Sequence, residues 1–556
     1  MTHIITQPCC NDASCVVVCP VNCIHPTPDE PGFATAEMLY IDPETCIDCG
    51  ACIEECPVEA IVPDYDASTR QEPYLQINAD FYLDHDVAAG LEDMGSDAPP
   101  PAADLHVAIV GAGPAALYAA EELVRYPAVK VDAFDRLPTP YGLVRAGVAP
   151  DHPSTKGVER TFVATAGRKN FEYFLDVEVG RDVTLEELRE RYHAVLYASG
   201  APTDRRLGIE GEELPGSVSA TDFVAWYNCH PEHVSDRYDL SARRAVVVGN
   251  GNVALDVARI LLTHPDQLAG SDIADHALGA LRESGVEEVV VLGRRGIAEG
   301  AYTNAEFLAM GSIDGVDVVI DEADLVLDPA TAAAETDGTL DSTVATKIRL
   351  ARELAARPAG SAPRRIVFRY LTAPVRILGD DRVYGVRCVR NAFTGDGHVR
   401  ATDETFDLEA GAVVRAIGYR GTPVPGLPFD EVRSVVPNVA GRVTDEGAAV
   451  PGVYVAGWLK RGATGGIGMN RWCGHETAHS LLTDFAAGLL PPPVRSRDEV
   501  PGLLAERGVA RVDDAGWRSI DSAEKAAGRA AKRPRVKLAD VQELLRAAGI
   551  GSDARV

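Results

Sequence analysis

The sequence predicts a small cysteine-rich α+β module followed by a larger α/β region, in which a second parallel-sheet unit is inserted in the first. Three observations carry that prediction. Nine of the 12 cysteines lie before residue 57, at spacings that wrap a metal centre rather than pair as disulfides. Beyond residue 104, two Gly-x-Gly-x-x-Ala turns begin at Gly111 and Gly249; each follows a buried-strand run and opens a helical one. Apolar runs at 412–419 and 451–458 then read as strands returning to the first sheet.

The bulk numbers agree with several units and exclude some classes. A chain of 556 residues implies three or four domains at roughly 100–200 residues each. No apolar stretch reaches the ~18 residues of a membrane helix; the most apolar one, 107–120, is broken by Gly111, Gly113 and Pro114. The N-terminus has no basic region leading into an apolar run, so a cytoplasmic protein is expected. Cys229, Cys388 and Cys473 are far apart, and no paired C-x-x-C follows the glycine turns, which argues against a disulfide reductase. The net charge is −30, and residues 1–100 hold 19 acids against one base, Arg70. Such a field repels nucleic acid and anionic membrane and suits basic protein partners. The one basic run, 525–537, reads either as a solvated helix face or as a docking patch.

The first element is the cysteine module, residues 1–65. Cys46, Cys49, Cys52 and Cys56 with Pro57 spell C-x2-C-x2-C-x3-C-P, whose fourth cysteine serves a different cluster from the first three. A second group is therefore required, and Cys9, Cys10, Cys15, Cys19 and Cys23 lie upstream. Cys19, Cys46, Cys49 and Cys52 are assigned to one [4Fe–4S] cluster. Cys15 and Cys56 belong to the second, completed by Cys9 or Cys10; Cys9, after Pro8, is the assigned ligand. The upstream run lacks a C-x2-C-x2-C, which fits three ligands and a [3Fe–4S] cluster, with [4Fe–4S] as the alternative. Cys23 fits a non-ligand cysteine beside the cluster. Zinc would leave seven cysteines in two interleaved runs unexplained.

Residues 66–103 show no clear period and end in a proline run at 99–101, read as a semi-rigid linker with few contacts crossing it. The first α/β unit follows, over 104–208. Strand 105–110 opens into Gly111, Gly113 and Ala116, then helix 117–125, and strand 130–134 ends at Asp135. An acid there, about 20 residues past the turn, accepts hydrogen bonds from an adenosine ribose and selects FAD or NAD. The second unit, 209–411, repeats the pattern with strand 245–248, Gly249, Gly251 and Ala254, helix 255–262 and strand 287–292. Its strand ends in Arg294 and Arg295, and two guanidiniums suit the 2′-phosphate of NADP. Further strands are expected at 365–370 and 382–390, and 412–556 completes the first unit. Both units are thus Rossmann-like dinucleotide-binding domains. NADPH delivers two electrons as hydride, clusters take one at a time, and FAD converts between the two, so the order NADPH, FAD, clusters follows.

At this point the sequence resembles a known family. Residues 105–550 resemble ferredoxin–NADP reductases of the adrenodoxin-reductase type through the motifs at 111–114, 137–153, 249–259, 416–421, 457–462 and 464–468. Residues 1–65 resemble seven-iron ferredoxins, so a ferredoxin-like fold is implied there, and the whole is similar to actinobacterial chains that fuse the two. The resemblance implies FAD held by Ala115, Asp135, Leu143, Val179, Trp458, Gly465, Gly466 and Ile467. It implies NADP held by Arg205, Asn252, Val253, Ala254, Leu255, Arg294, Arg295 and Glu306. Trp458 stands where many flavoenzymes place an Asp; its indole is expected to pack by the flavin and can donate its N–H. His152 and Glu306 are the titratable groups expected beside the flavin, for tuning or proton supply, and a buried structural role for His152 is the other reading. The implied partners are ferredoxin or other one-electron acceptors, such as those of cytochrome P450 systems. Two further readings are a glutamate-synthase-like reductase subunit serving a larger partner, and a pure electron carrier on a vestigial nucleotide scaffold. The intact Gly251, Arg294 and Arg295 argue against the carrier.

Overall fold

A computed structural model describes residues 1–85, 100–358, 360, 362–395 and 397–551. Part of the predicted linker, 86–99, including Pro99, lies outside the described residues. In the N-terminal module His3–Ile5 pairs antiparallel with Ile61–Pro63, and Ile24–His25 with Tyr40–Ile41. Two short helices, Ser14–Val18 and Ala51–Glu55, are built alike. Each starts after a left-handed residue, Ala13 or Gly50, and ends on a cysteine, Cys19 or Cys56. Pro20 and Pro57 come next in the sequence and cannot continue a helix. Each helix therefore keeps one cysteine inside, Cys15 or Cys52, and turns the following one elsewhere.

The linker expectation needs correction. Pro73–Phe81 is a helix that buries Tyr74, Ile77, Asn78 and Phe81. The Asn78 amide stitches it to the module: Oδ1 accepts from the N–H of Ile5 at 3.1 Å and of Ile41 at 2.9 Å, and Nδ2 donates to Ile5 O at 2.9 Å. Three apolar residues at helical spacing were present, but nine residues give too short a period to stand out from sequence.

The first α/β sheet has seven strands. Its parallel part runs Ala448–Val455, Ala194–Tyr197, Leu105–Val110, Val129–Asp135, Phe171–Leu175, and Asn438–Val439 and Arg442–Asp445 extend it antiparallel. The second has six strands, all parallel, in the order Ser217–Ser219, Ala412–Arg415, Arg244–Val248, Glu288–Leu292, Arg364–Arg369, Val316–Ile320. The strand at 412 was expected in the first sheet; it sits in the second, between Ser217–Ser219 and Arg244–Val248. The chain regains the first sheet later, where Val453–Val455 lie beside Val195–Tyr197. A strand buried on both faces is a plain apolar run, and such a run carries no label for its partner. An antiparallel sheet of Thr372–Gly379, Val383–Phe393 and Val399–Glu409 covers one face of the second unit through Ile377, Val386 and Cys388.

One hydrophobic core joins Ile4, Val16 and Ile41 of the cysteine module to Leu117, Tyr118 and Phe162 of the first unit and to Trp517 and Ile520 of the helix Asp514–Ala531. The module is thus packed on the α/β region as well as tethered to it, contrary to the expectation of few crossing contacts. The basic run divides in two. Lys525 and Arg529 are exposed on the helix. Arg535 pairs with Glu524 at 3.1 Å and Glu159 at 3.2 Å, Lys537 with Asp272 at 2.9 Å, and Arg533 with Asp275. Its last part therefore clasps residues of both units. Among the described residues, no helix is long and apolar enough to cross a membrane.

Candidate functional site

Gly111 has φ 112°, and a Cβ there would stand 2.5 Å from the carbonyl oxygen of Ala198. Only glycine lets the chain turn that close to the neighbouring strand. Gly113 caps the helix Pro114–Leu123, and no side chain takes the cap's place. The first amides of such a helix are left for an anion. Three glycine backbones crowd there. A Cβ on Gly142 would lie 3.1 Å from Gly113 Cα, and one on Gly457 would lie 2.7 Å from Ala115 Cβ. Leu143, next to Gly142, is 38% exposed, so it can offer its face to a bound group.

Asp135 ends its strand as expected. Its Oδ2 accepts from Ala112 N–H at 2.7 Å and its Oδ1 from Leu137 N–H at 2.9 Å. Burial raises its pKa, against the pull of those two amides. The carboxylate thus fixes the glycine turn, and each oxygen keeps a lone pair for a further donor. Val179 is half-buried a few residues past the next strand, whose extension is tied in by Val177 N–H to Asp135 O at 2.9 Å. Trp458 Nε1 donates to Thr464 O at 3.1 Å, and its ring lies 5.1 Å from that of Tyr419. The indole N–H is therefore engaged with the loop that carries Gly465, Gly466 and Ile467. Arg461 and Asn470 pin the same loop through Thr464 O and Gly466 O, each at 3.0 Å.

The second turn repeats the first. Gly249 has φ 114°, with Ala416 O 2.3 Å from where a Cβ would be, and Gly251 caps the helix Asn252–Leu262 without side-chain help. Ala254 and Leu255 are fully buried, and their amides donate to Gly251 O at 2.9 and 3.2 Å. Their side chains are helix core, while Asn252 and Val253, just before them, are half-buried at the turn. Asn252 Oδ1 accepts from Thr303 N–H at 2.9 Å. Arg294 and Arg295 are exposed at the end of the strand. Their backbones are held by Asn391 Nδ2 to Arg294 O at 2.9 Å and Leu371 N–H to Arg295 O at 3.0 Å. Neither guanidinium closes an ion pair among the described residues, so both face solvent from fixed positions. Arg205 is exposed on the strap where its N–H donates to Gly418 O at 3.0 Å.

His152 and Glu306 come together from the two units, with Nε2 and Oε2 3.9 Å apart. Around them lies a group that sequence reasoning missed. Arg259 bonds Asp151 through Nε at 2.6 Å and Asp256 through Nη2 at 2.6 Å, and its Nη1 is 3.6 Å from Glu306. Burial raises the Glu306 pKa, opposed by His152 and Arg259. Burial acts the same way on Asp151, yet the Arg259 guanidinium holds it below the usual carboxylate range. Of these two acids Glu306 is the better able to carry a proton. Gln7, from the cysteine module, reaches in with Nε2 3.4 Å from His152 Nε2. Asp256 and Arg259 were visible one helical turn apart, but nothing in the sequence announced Asp151 or Gln7 as their neighbours.

Cys19, Cys46, Cys49 and Cys52 line one pocket with Ile24, Ile41 and Ile47. Cys23 shares it, its Sγ 3.4 Å from that of Cys19. In the other group, Cys9 and Cys56 lie near enough to Cys15 to add to the burial that raises its thiol pKa. Cys10 is buried beside the same set, where Cys9 and Cys56 add to the burial that raises its thiol pKa, and it also bears on Tyr118. Burial pushes Cys9 up to about 12, and all nine module cysteines are free of disulfides. Disulfide-free thiols gathered in two sets, with Ala60 N–H aimed at Cys56 Sγ at 3.2 Å, fit iron–sulfur clusters as the groups that would take up their thiolates.

Comparison with known proteins bears on both halves. A 4Fe-4S binding domain model matches residues 39–62, and a pyridine nucleotide-disulphide oxidoreductase model matches residues 105–303. A probable ferredoxin/ferredoxin–NADP reductase of Mycobacterium tuberculosis is 50% identical over 566 residues, covering 99% of this chain and 95% of its own length. The human mitochondrial NADPH:adrenodoxin oxidoreductase is 43% identical over 456 residues, 80% of this chain and 92% of that one. The structure of Mycobacterium tuberculosis FprA in complex with NADPH matches with a TM-score of 0.74 at 45% identity, over 80% of this chain and 99% of that chain.

Proposed function

This chain belongs to the ferredoxin/ferredoxin–NADP reductase family, and we propose that it moves electrons from NADPH through FAD to one-electron acceptors by way of its own iron–sulfur module. It is an oxidoreductase with a pyridine-nucleotide region and an iron–sulfur region in one polypeptide. The observation that carries the reading is the pairing of two uncapped glycine turns with opposite ribose ends. Asp135 lies at one and Arg294–Arg295 at the other, with His152 and Glu306 meeting at 3.9 Å where the two units face each other. When bound, FAD supplies the conversion between paired and single electrons, and the clusters supply one-electron steps.

The chain's residues divide that task. Gly111, Gly113, Ala115, Leu143, Val179 and the loop Gly465–Ile467 would hold FAD, with Asp135 on the ribose. Asn252, Val253, Arg294 and Arg295 would hold NADPH, with Arg205 beside them on the inter-unit strap. His152 and Glu306 would border the reacting rings and hold a proton there. Residues 1–65 would form a ferredoxin-like module, extended by the helix at 73–81. The first nucleotide domain would resume after the second, with the crossing after Arg415 in place of 411. Cys19, Cys46, Cys49 and Cys52 would take a [4Fe–4S] cluster. Cys9, Cys15 and Cys56 would take a [3Fe–4S] cluster. The acceptors would be ferredoxin-type or other one-electron proteins, including those of P450 systems, in the cytoplasm.

The test is anaerobic. NADPH should bleach the flavin absorbance of the purified protein and reduce a one-electron acceptor, with NADH much slower. Equal use of NADH would remove the role given to Arg294 and Arg295. Iron counting with EPR should give seven irons and a three-iron signal lost in Cys9→Ala and kept in Cys10→Ala. Eight irons with no such signal would reverse the cluster assignment.

A further inference from the structure

We infer that the two clusters work in series: electrons enter the module at the Cys9–Cys15–Cys56 group and leave it from the Cys19–Cys46–Cys49–Cys52 group. This rests on the function proposed above and adds an order to it. The neighbours of every cysteine in the first group grip the nucleotide region. Cys10 O accepts from Gly468 N–H at 2.8 Å, and Gly468 directly follows the loop Gly465–Ile467. The approach is so close that a Cβ on Gly468 would stand 2.2 Å from the Asn11 carbonyl carbon. Arg471 donates to Asp12 O at 3.2 Å and to Ser14 Oγ at 2.5 Å, on either side of Ala13 and just before Cys15. Pro57, next to Cys56, accepts from Arg160 Nη2 at 2.9 Å. Gln7, two residues before Cys9, reaches His152.

The second group faces the other way. Among the described residues, no hydrogen bond or ion pair of residues 42–52 extends past the module; Asp48 pairs with His3 at 3.2 Å, and Thr45 is tied to Asp42. Cys49 is exposed and Ile47 is 58% exposed. Electron transfer through protein weakens steeply with distance, so the group seated against the candidate flavin loop receives first. The group open to solvent delivers. The balance is simple. Oxidation of one NADPH to NADP+ releases two electrons and one proton. The electrons pass singly through the first group and then the second, two acceptors gain one each, and the proton goes to solvent.

The experiment uses the full-length protein with flavin and clusters, followed by EPR. In Cys15→Ser, dithionite should still reduce the four-iron cluster, while NADPH should fail to do so. Reduction by NADPH at the unmutated rate would overturn the series order. Rapid freeze-quench of the unmutated protein gives an independent reading that does not rely on a variant folding. After mixing with NADPH the three-iron signal should fade before the reduced four-iron signal appears, and the reverse order would overturn the inference. Flavin absorbance is recorded in the same mixing experiment. Failure of NADPH to bleach it in the unmutated protein would instead defeat the function on which the inference rests.

Discussion

The two glycine turns are nearly the same piece of backbone put to two uses. Gly111 and Gly249 have φ 112° and 114°, and each lies against a carbonyl of the adjacent strand, Ala198 or Ala416. Each turn leads to a glycine-capped helix with no side chain at the cap. They part company at the end of the next strand. Asp135 is drawn in and takes two backbone amides, while Arg294 and Arg295 stand out in solvent on fixed backbones. The turn is dictated by close packing of strand, turn and helix, so it must be the same in both. In the function proposed above, the choice of nucleotide would be made by side chains that the packing leaves free to differ.

The strongest way to break this comparison is to add one methyl to each turn. Gly111→Ala and Gly249→Ala both combine a positive φ with a collision against a backbone carbonyl, on the order of 3 kcal/mol or more of strain. The first should yield protein without flavin absorbance. The second should stay yellow and lose NADPH-driven bleaching. Loss of flavin from both would show that the turns are not separately assigned. Next in size is Arg294→Ala with Arg295→Ala. Each lost charged contact costs about 1.5–3 kcal/mol, so the ratio of kcat/KM for NADPH over NADH should collapse while kcat with NADH holds.

Asp135→Asn is smaller. The amide keeps one acceptor oxygen and loses the other, about 1 kcal/mol of flavin affinity, measurable by flavin release on dilution. It carries a pH signature as well. The pKa of Asp135 is raised by burial, so between the ordinary carboxylate value and the raised one the folded chain binds more protons than the unfolded chain. That contribution makes stability fall as pH rises through the window, and Asp135→Asn should flatten it in thermal melts at mildly acid pH. The least effect is expected from Asn252→Ala, which frees Thr303 N–H and should raise KM for NADPH by an amount worth about 0.5–1.5 kcal/mol. A change in flavin content there would show that the second turn serves the first site.

Much of the molecule was legible in the chain itself. The strands at 105–110 and 245–248, the two glycine turns, Asp135, Arg294–Arg295 and the two cysteine groups are local patterns, set by spacing and by backbone sterics that no neighbour can change. Tertiary structure alone decided the rest. It moved Ala412–Arg415 into the second sheet, because an apolar strand fits either sheet and only the finished register chooses. It turned Pro73–Phe81 into packed helix through one asparagine that bonds two strands. It made Arg535 and Lys537 into clasps between the two units. It also built the group around Glu306, where Arg259 meets Asp151 from 108 residues away and Gln7 reaches His152 across 145. An ionic or amide side chain announces that it needs a partner, but over such separations only the folded chain determines which one comes within reach.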